Sequence, residues 1–244
     1  MEETLMSPVA LITGAARRLG REMAVHLAQQ GFDVAVHYHH SETDAHETAA
    51  HIRAAGRRAI LVHGDLTQPG VAESVLHTTV GQLSKPDLLL LSASLFEKGR
   101  LGETTWTQLQ SHFAVHLFSV VEMVNAYRAH CEQGNIIVIA DSIVDHATGP
   151  RAAYLLAKKS LWEFVKMAAV EFAPAFRVNA IGPGWILDAV DGTPTASGAA
   201  EKIPLQKKGD PADILQALDF LIRSTYVTGS LIHMDGGRHL KPVF

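Results

Sequence analysis

The chain has 244 residues, of which 47% are hydrophobic and 19% charged, with a formal net charge of -4. That mild acidity excludes a charge-driven surface for nucleic acid or an anionic membrane. A single cysteine, Cys131, excludes any intrachain disulfide and suits a reducing compartment.

Residues 1–7 read as a flexible start, and Met1-Glu2-Glu3-Thr4 lacks the basic opening of a secretory signal. Val9-Ala10-Leu11-Ile12 is the first strand. A helix from Arg21 to Gln30 follows, with Met23, Ala24, Leu27 and Ala28 at helical spacing, and Gly31 ends it. Val34-Ala35-Val36 is the second strand, and a polar helix runs from Glu42 to Ala55. Ala59-Ile60-Leu61-Val62 is the third strand, left by Asp65-Leu66. Val71 to Leu83 reads as a helix, Asp87 to Ser92 as a strand and Gln108 to Cys131 as one long helix. Ile136 to Ala140 is the fifth strand, Ala153 to Phe172 a second long helix and Arg177 to Ile181 the sixth strand. After Pro211 a helix covers Ile214 to Ile222, and Leu231 to Met234 is the seventh strand.

Short aliphatic strands alternating with helices predict an α/β fold: a seven-stranded parallel sheet with helices on both faces. Right-handed crossovers make it doubly wound, of Rossmann type. No linker or repeat interrupts 1–244, so a single catalytic domain is expected. No apolar run reaches the length of a membrane span, and a cytoplasmic protein is expected. Residues 186–203, rich in Gly, Thr, Ser and Ala, follow a strand end and read as a substrate lid or a plain surface loop.

Four features carry chemistry. Thr13-Gly14-Ala15-Ala16-Arg17-Arg18-Leu19-Gly20 joins a buried strand to an amphipathic helix. Small residues there admit a pyrophosphate to free N–H groups and the positive end of the helix dipole. The second strand runs on as His37-Tyr38-His39-His40-Ser41, with no acid to bind a ribose hydroxyl or repel a 2′-phosphate. Arg17 and Arg18 supply positive charge, and His39, His40 and Ser41 supply donors, so NADPH/NADP is the expected cofactor. The other reading of the two arginines is solvated helix-start cations. Asp65 either accepts from an adenine amino group or caps the following helix.

Tyr154 and Lys158 are one helical turn apart and share a face. A phenol with a pKa near ~10 is a poor acid–base group at neutral pH. An adjacent ammonium is expected to pull it down, so that the pair exchanges a proton with substrate. Asp141, thirteen residues before Tyr154, stands at a strand end, where it either assists the phenol and binds substrate or caps a turn. The 14 histidines show no His-Glu-x-x-His pattern, and no metal is expected. His37 and His39 should share one strand face, with His40 opposing them.

With the same turn, Asp65, Tyr154-x-x-x-Lys158, Pro183-Gly184, Tyr226-Val227-Thr228-Gly229 and Asp235-Gly236-Gly237 in order, the chain resembles the short-chain dehydrogenase/reductase family over nearly its whole length. Within it, the chain looks most like the pteridine reductases. That likeness lies in Arg17-Arg18-Leu19-Gly20, His37 to Ser41, Ala93-Ser94-Leu95-Phe96, and Asp141 where most members have serine. Ser142 is one place off and would point the other way. The resemblance implies cofactor contacts at Gly14, Arg18, Leu19, Gly20, Asp65, Leu66, Ala93, Ser94, Tyr154, Lys158, Pro183 and Gly184. It also implies substrate contacts at Arg18, Ser94, Phe96, Asp141 and Tyr154. Phe96 would stack on a pterin, or else be a core or lid aromatic.

Three residues depart from the pattern: Leu91-Ser92 replaces an asparagine pair, His116 a helix asparagine that supports a relay water, and His40 an arginine. The expected activity is NADPH-dependent reduction of a reduced pterin or similar flat heterocycle. The alternatives are a carbonyl reductase, such as one acting on a 3-oxoacyl thioester, and a non-catalytic NADP-binding protein. The resemblance implies a homotetramer built on the two long helices. Val115, Phe118, Val121 and Val124, with Leu161, Phe164 and Val165, serve either that interface or the core.

Overall fold

Branched aliphatic side chains crowd a helix but suit a pleated sheet buried on both faces, and the chain places them accordingly. In the computed structural model, which describes residues 7–146, 151–188 and 198–240, seven strands form one sheet in the order β3-β2-β1-β4-β5-β6-β7. These are β1 (Val9–Thr13), β2 (Asp33–Tyr38), β3 (Ala59–His63), β4 (Leu88–Leu91), β5 (Gly134–Ile139), β6 (Phe176–Pro183) and β7 (Leu231–Met234). The pairs β1–β2, β1–β4, β2–β3 and β6–β7 are parallel. Seven parallel strands with intervening helices are the expected Rossmann-type α/β architecture.

The chain forms two compact units. The first contains residues up to Ala93 and Val121–Ile136. Here α1 (Arg18–Gln29), α2 (Glu42–Ala54) and α3 (Val71–Gln82) alternate with β1 to β4. Val9, Ala10, Leu11 and Ile12 are fully buried. Strand order reverses between β1 and β4, in register from Ala10↔Leu88 to Thr13↔Leu91. Ligands bind at the carboxyl ends of strands at such a switch point.

The second unit contains Ser94–Val120 and the chain from Ile137 onward. It holds α4 (Trp106–Phe113), α6 (Ala152–Glu171), α7 (Pro211–Arg223), β6 and β7, while α5 (Ser119–His130) belongs mostly to the first. The long helix expected from Gln108 to Cys131 is therefore not uniform. A π turn at Ala114–Phe118 separates α4 from α5. A capping box of Thr105 and Gln108 opens α4. A second, of Asp210 and Asp213 with Pro211 in the first turn, opens α7. No helix among the described residues is long and apolar enough to cross a membrane. Of the flexible start, residues 1–6 lie outside the described residues, as do 189–197 of the expected lid.

Candidate active site

The first unit carries the nucleotide turn. Thr13 Oγ1 accepts from the N–H groups of Ser92, at 3.0 Å, and Ala93, at 3.2 Å, tying the end of β1 to the end of β4. Gly14 has φ +65°, and a Cβ there would lie 2.8 Å from Ala93 Cα. A Cβ on Gly20 would lie 2.1 Å from the Gly14 carbonyl oxygen. Backbone thus packs on backbone at both ends of the turn. Helix α1 starts behind it with Arg17 as an uncapped N-cap and no acid in its first turn. Its first N–H groups and dipole therefore suit a phosphate. Arg18 lies in the left-handed region, at φ 55°, a conformation found for non-glycine residues mostly at functional sites.

His37 braces this turn. Its ring is buried, takes the Gly14 N–H on Nδ1 at 3.3 Å, and donates from Nε2 to the Gly64 carbonyl at 3.0 Å. Burial pulls its pKa from the ordinary 6.5 to about 4, so the ring is neutral at pH 7. Protons therefore bind the unfolded chain more readily between these values, and His37 contributes stability above pH 6.5 that is lost as pH falls through about 4. Unfolding in urea should show a loss on the order of 3 kcal/mol from this group between pH 7 and pH 4. A His37→Gln variant, which cannot titrate, should show a smaller acid loss, and equal losses would refute the assignment.

Strand alternation stops at Tyr38, so His39 and His40 do not oppose each other as expected. Their rings stack 3.5 Å apart, 30° from parallel. His39 Nδ1 is 3.8 Å from Asp65 Oδ1. Asp65 closes a turn, accepting from the Thr67 N–H at 3.0 Å and hydroxyl at 2.8 Å. Ser41, at the N-cap of α2, makes no side-chain cap bond. Leu19 and Leu66 are half-buried. The structure thus groups His39, His40 and Asp65 at the ends of β2 and β3.

The second unit brings Asp141, Tyr154 and Lys158 together. The Tyr154 hydroxyl donates to Asp141 Oδ2 at 2.7 Å, while Asp141 Oδ1 accepts from the Ile143 N–H at 3.0 Å. The aspartate therefore does both things the sequence left open: it closes a turn and holds the phenol. Lys158 is buried, and its Nζ donates to the Ile139 carbonyl at 2.6 Å.

The expected direction of the Tyr154 pKa is corrected. Burial, and then the charge and hydrogen bond of Asp141, raise it well above 10. Lys158 points its ammonium to a backbone carbonyl, 5.9 Å from the centre of the phenol ring. Burial lowers the Lys158 pKa to about 8, against the opposing pull of Asp141. At neutral pH the site presents a protonated phenol and an ammonium close to its own pKa. Ser142 is fully buried, and its hydroxyl has no partner among the described residues.

Phe96 is 55% exposed, which removes the core reading. Its ring meets Tyr154 edge-on, with centroids 4.8 Å apart at 89°, and the Arg151 guanidinium lies 4.1 Å over its face. Ser94 is exposed. Gly184 permits a close approach, since a Cβ there would lie 2.7 Å from Asp235 Cα, and its N–H bonds Met234 O from the end of β6, next to Pro183. Arg18 belongs to the first unit, and Phe96, Asp141 and Tyr154 belong to the second.

Sequence reasoning passed over His37 as a brace, Arg151, and His112. The signal for His37 was a polar ring directly following the apolar run Val34-Ala35-Val36 within the strand. His233, Asp235 and His239 also cluster. The two rings stack 3.9 Å apart, 17° from parallel. Imidazole lone pairs lie in the ring planes, so stacked rings cannot direct both at one ion. The Asp235 carboxylate is taken by the N–H groups of Gly237 and His239.

A glycine turn at a sheet switch point and a buried tyrosine one helical turn from a buried lysine match the pattern of a dinucleotide-dependent oxidoreductase. A family model described as enoyl-(acyl carrier protein) reductase matches residues 14–239. The chain belongs to the short-chain dehydrogenase/reductase family of NAD(P)-dependent oxidoreductases. It is 34% identical to an uncharacterized oxidoreductase of Mycobacterium tuberculosis, over 94% of this chain and 91% of that one. It is 28% identical to the 3-oxoacyl-acyl-carrier-protein reductase FabG of Staphylococcus epidermidis, over 96% of this chain and 100% of FabG. Among solved structures, FolM alternative dihydrofolate reductase 1 from Brucella suis in complex with NADP matches with a TM-score of 0.89 and 29% identity, covering 96% of each chain.

Proposed function

We propose that this protein is an NADPH-dependent reductase of a reduced pterin or a similar flat heterocycle, with the whole chain as one catalytic domain. The observation that carries this reading is the carboxylate at 141, hydrogen-bonded to the proton-donating phenol where most family members have serine. A carboxylate accepts from the amino and ring N–H groups of a pterin, whereas a ketone offers it only an acceptor oxygen. The Phe96 face, over which a planar guanidinium already lies, suits a flat ring that would take that place. FolM, a dihydrofolate reductase by name, adds support.

In this reading Gly14, Gly20 and the start of α1 hold the pyrophosphate, and the turn suits it because neither glycine has room for a Cβ, which would push the backbone out of this shape. His39, His40, Ser41 and Arg18 favour the 2′-phosphate, and the segment from Val34 to Ser41 carries no acid to repel it. The bound nicotinamide supplies a hydride. Tyr154 donates the proton to the substrate atom, Asp141 orients the phenol and the substrate, and Lys158 restores the phenol's proton. Phe118, Met167 and Val170, at 54%, 68% and 82% exposed, are proposed as contacts of a homotetramer. Val124, Leu161 and Val165, buried in the core, are not.

The FabG likeness favours a second reading, reduction of a 3-oxoacyl thioester. A panel distinguishes them. NADPH oxidation should be faster with 7,8-dihydrobiopterin or dihydrofolate than with acetoacetyl-CoA, and slower with NADH than with NADPH. Turnover of acetoacetyl-CoA alone would overturn the pterin reading.

A further inference from the structure

Two histidines lie one turn apart beneath the phenol ring. His112 in α4 and His116 in the π turn are each 1% exposed. Their rings are 5.8 Å apart and 15° from parallel. Both meet the Tyr154 ring edge-on, at 6.1 Å for His112 and 5.4 Å for His116. His116 Nε2 is 2.8 Å from the Leu95 carbonyl, to which it donates, which also fixes the segment carrying Phe96. His112 Nε2 is 3.7 Å from Glu97 Oε2, and that side chain is 48% exposed. Both Nδ1 atoms are buried without a partner among the described residues.

With hydrogen on Nε2, each neutral ring leaves Nδ1 as a bare acceptor. Two buried acceptors without donors are costly, and a water donating to each would satisfy them. A small cavity reaches His112 from the protein surface, lined by Glu97, Lys98, Gly99, Gln108 and Ala153. At the inner end, the Lys158 charge acts on His116, adding to burial in holding that ring neutral. The two imidazoles therefore occupy the interval between an exposed carboxylate and the buried ammonium.

We propose that Glu97, His112 and His116, joined by water, are a proton inlet that recharges Lys158 and Tyr154 after each reduction. In one turnover the substrate takes up a hydride and the Tyr154 hydroxyl proton. The phenolate then draws a proton from Lys158 Nζ, and the neutral amine recovers one from the imidazole–water chain. His112 is refilled from hydronium in solvent gathered at Glu97, so one solvent proton enters for each hydride transferred. The inlet serves any hydride acceptor, so it rests on the family's chemistry and not on the pterin reading.

His112→Ala, His112→Gln and Glu97→Gln test it, with NADPH oxidation followed on 7,8-dihydrobiopterin and acetoacetyl-CoA. Both His112 variants should lose about 10-fold or more in kcat, with KM and thermal stability nearly kept and a larger solvent deuterium isotope effect. Glu97→Gln should lose less. Millimolar imidazole should restore His112→Ala, which leaves a ring-sized space, but not His112→Gln. An unchanged kcat, or a loss that imidazole does not repair, overturns the inlet. If neither substrate is reduced, the substrate reading has failed, and nitrogen-15 histidine NMR of the parent protein decides. The imidazole N–H groups of His112 and His116 should exchange with water faster than that of buried His37, and exchange as slow as that of His37 overturns the proposal.

Discussion

Tyr154→Phe is expected to lower kcat by about 10²- to 10⁴-fold while leaving NADPH affinity within about twofold, because it deletes the proposed proton donor and keeps the ring's volume. The hydroxyl is the atom at stake, since its proton is shared with Asp141 Oδ2 at 2.7 Å. Stopped-flow NADPH oxidation with the active substrate of the panel reads the chemical step, and fluorescence titration reads cofactor binding. Full retained turnover would move the donor role to another group, Asp141 first.

Asp141→Asn gives the companion result, whose sign follows from charge. The carboxylate stabilises the Lys158 ammonium and disfavours the Tyr154 phenolate. Removing its charge lowers both pKa values. Lys158, with a pKa lowered to about 8, is expected to set the alkaline limb of kcat/KM, because in the proposed mechanism the amine form has no proton to return to the phenol. In the Asn variant that limb should move to lower pH. A limb that stayed in place would show that another group titrates there.

The strands were legible in the sequence because each is a short aliphatic run too brief for a helix. Leu88–Leu91 and Val9–Thr13 are buried from end to end, as a parallel sheet covered on both faces requires. The π turn was not legible. One extra residue in a helical turn leaves the apolar spacing of Val115, Phe118 and Val121 nearly unchanged, and only backbone geometry shows it. The spacing of Tyr154 and Lys158 correctly gave a shared face. It could not give the pKa, because burial and the alternative partner, the Ile139 carbonyl, belong to tertiary structure. His39 and His40 were misassigned to opposite faces because alternation was carried two residues past the end of β2.

Gly20→Ala should raise the Kd for NADPH by about 100-fold, equivalent to about 2.7 kcal/mol, and cost a further 1–3 kcal/mol or so of stability. The added Cβ would stand 2.1 Å from the Gly14 oxygen, 2.9 Å from its carbonyl carbon and 3.1 Å from Ala15 Cα. All three are backbone atoms, so relief requires the turn itself to move away from α1. Gly14 cannot follow easily on its other side, where Ala93 Cα already approaches its absent side chain to 2.8 Å. The first-turn N–H groups of α1 would then lose their alignment with the pyrophosphate. Gly81→Ala is the control. It lies in α3 with nothing within 4 Å of its Cβ position, and alanine there should stabilise by about 0.5–1 kcal/mol without touching cofactor affinity. Urea unfolding and NADPH titration of the two variants therefore read one chemical change with opposite signs. If Gly20→Ala bound NADPH like the parent, the nucleotide phosphates would have to rest somewhere other than this turn.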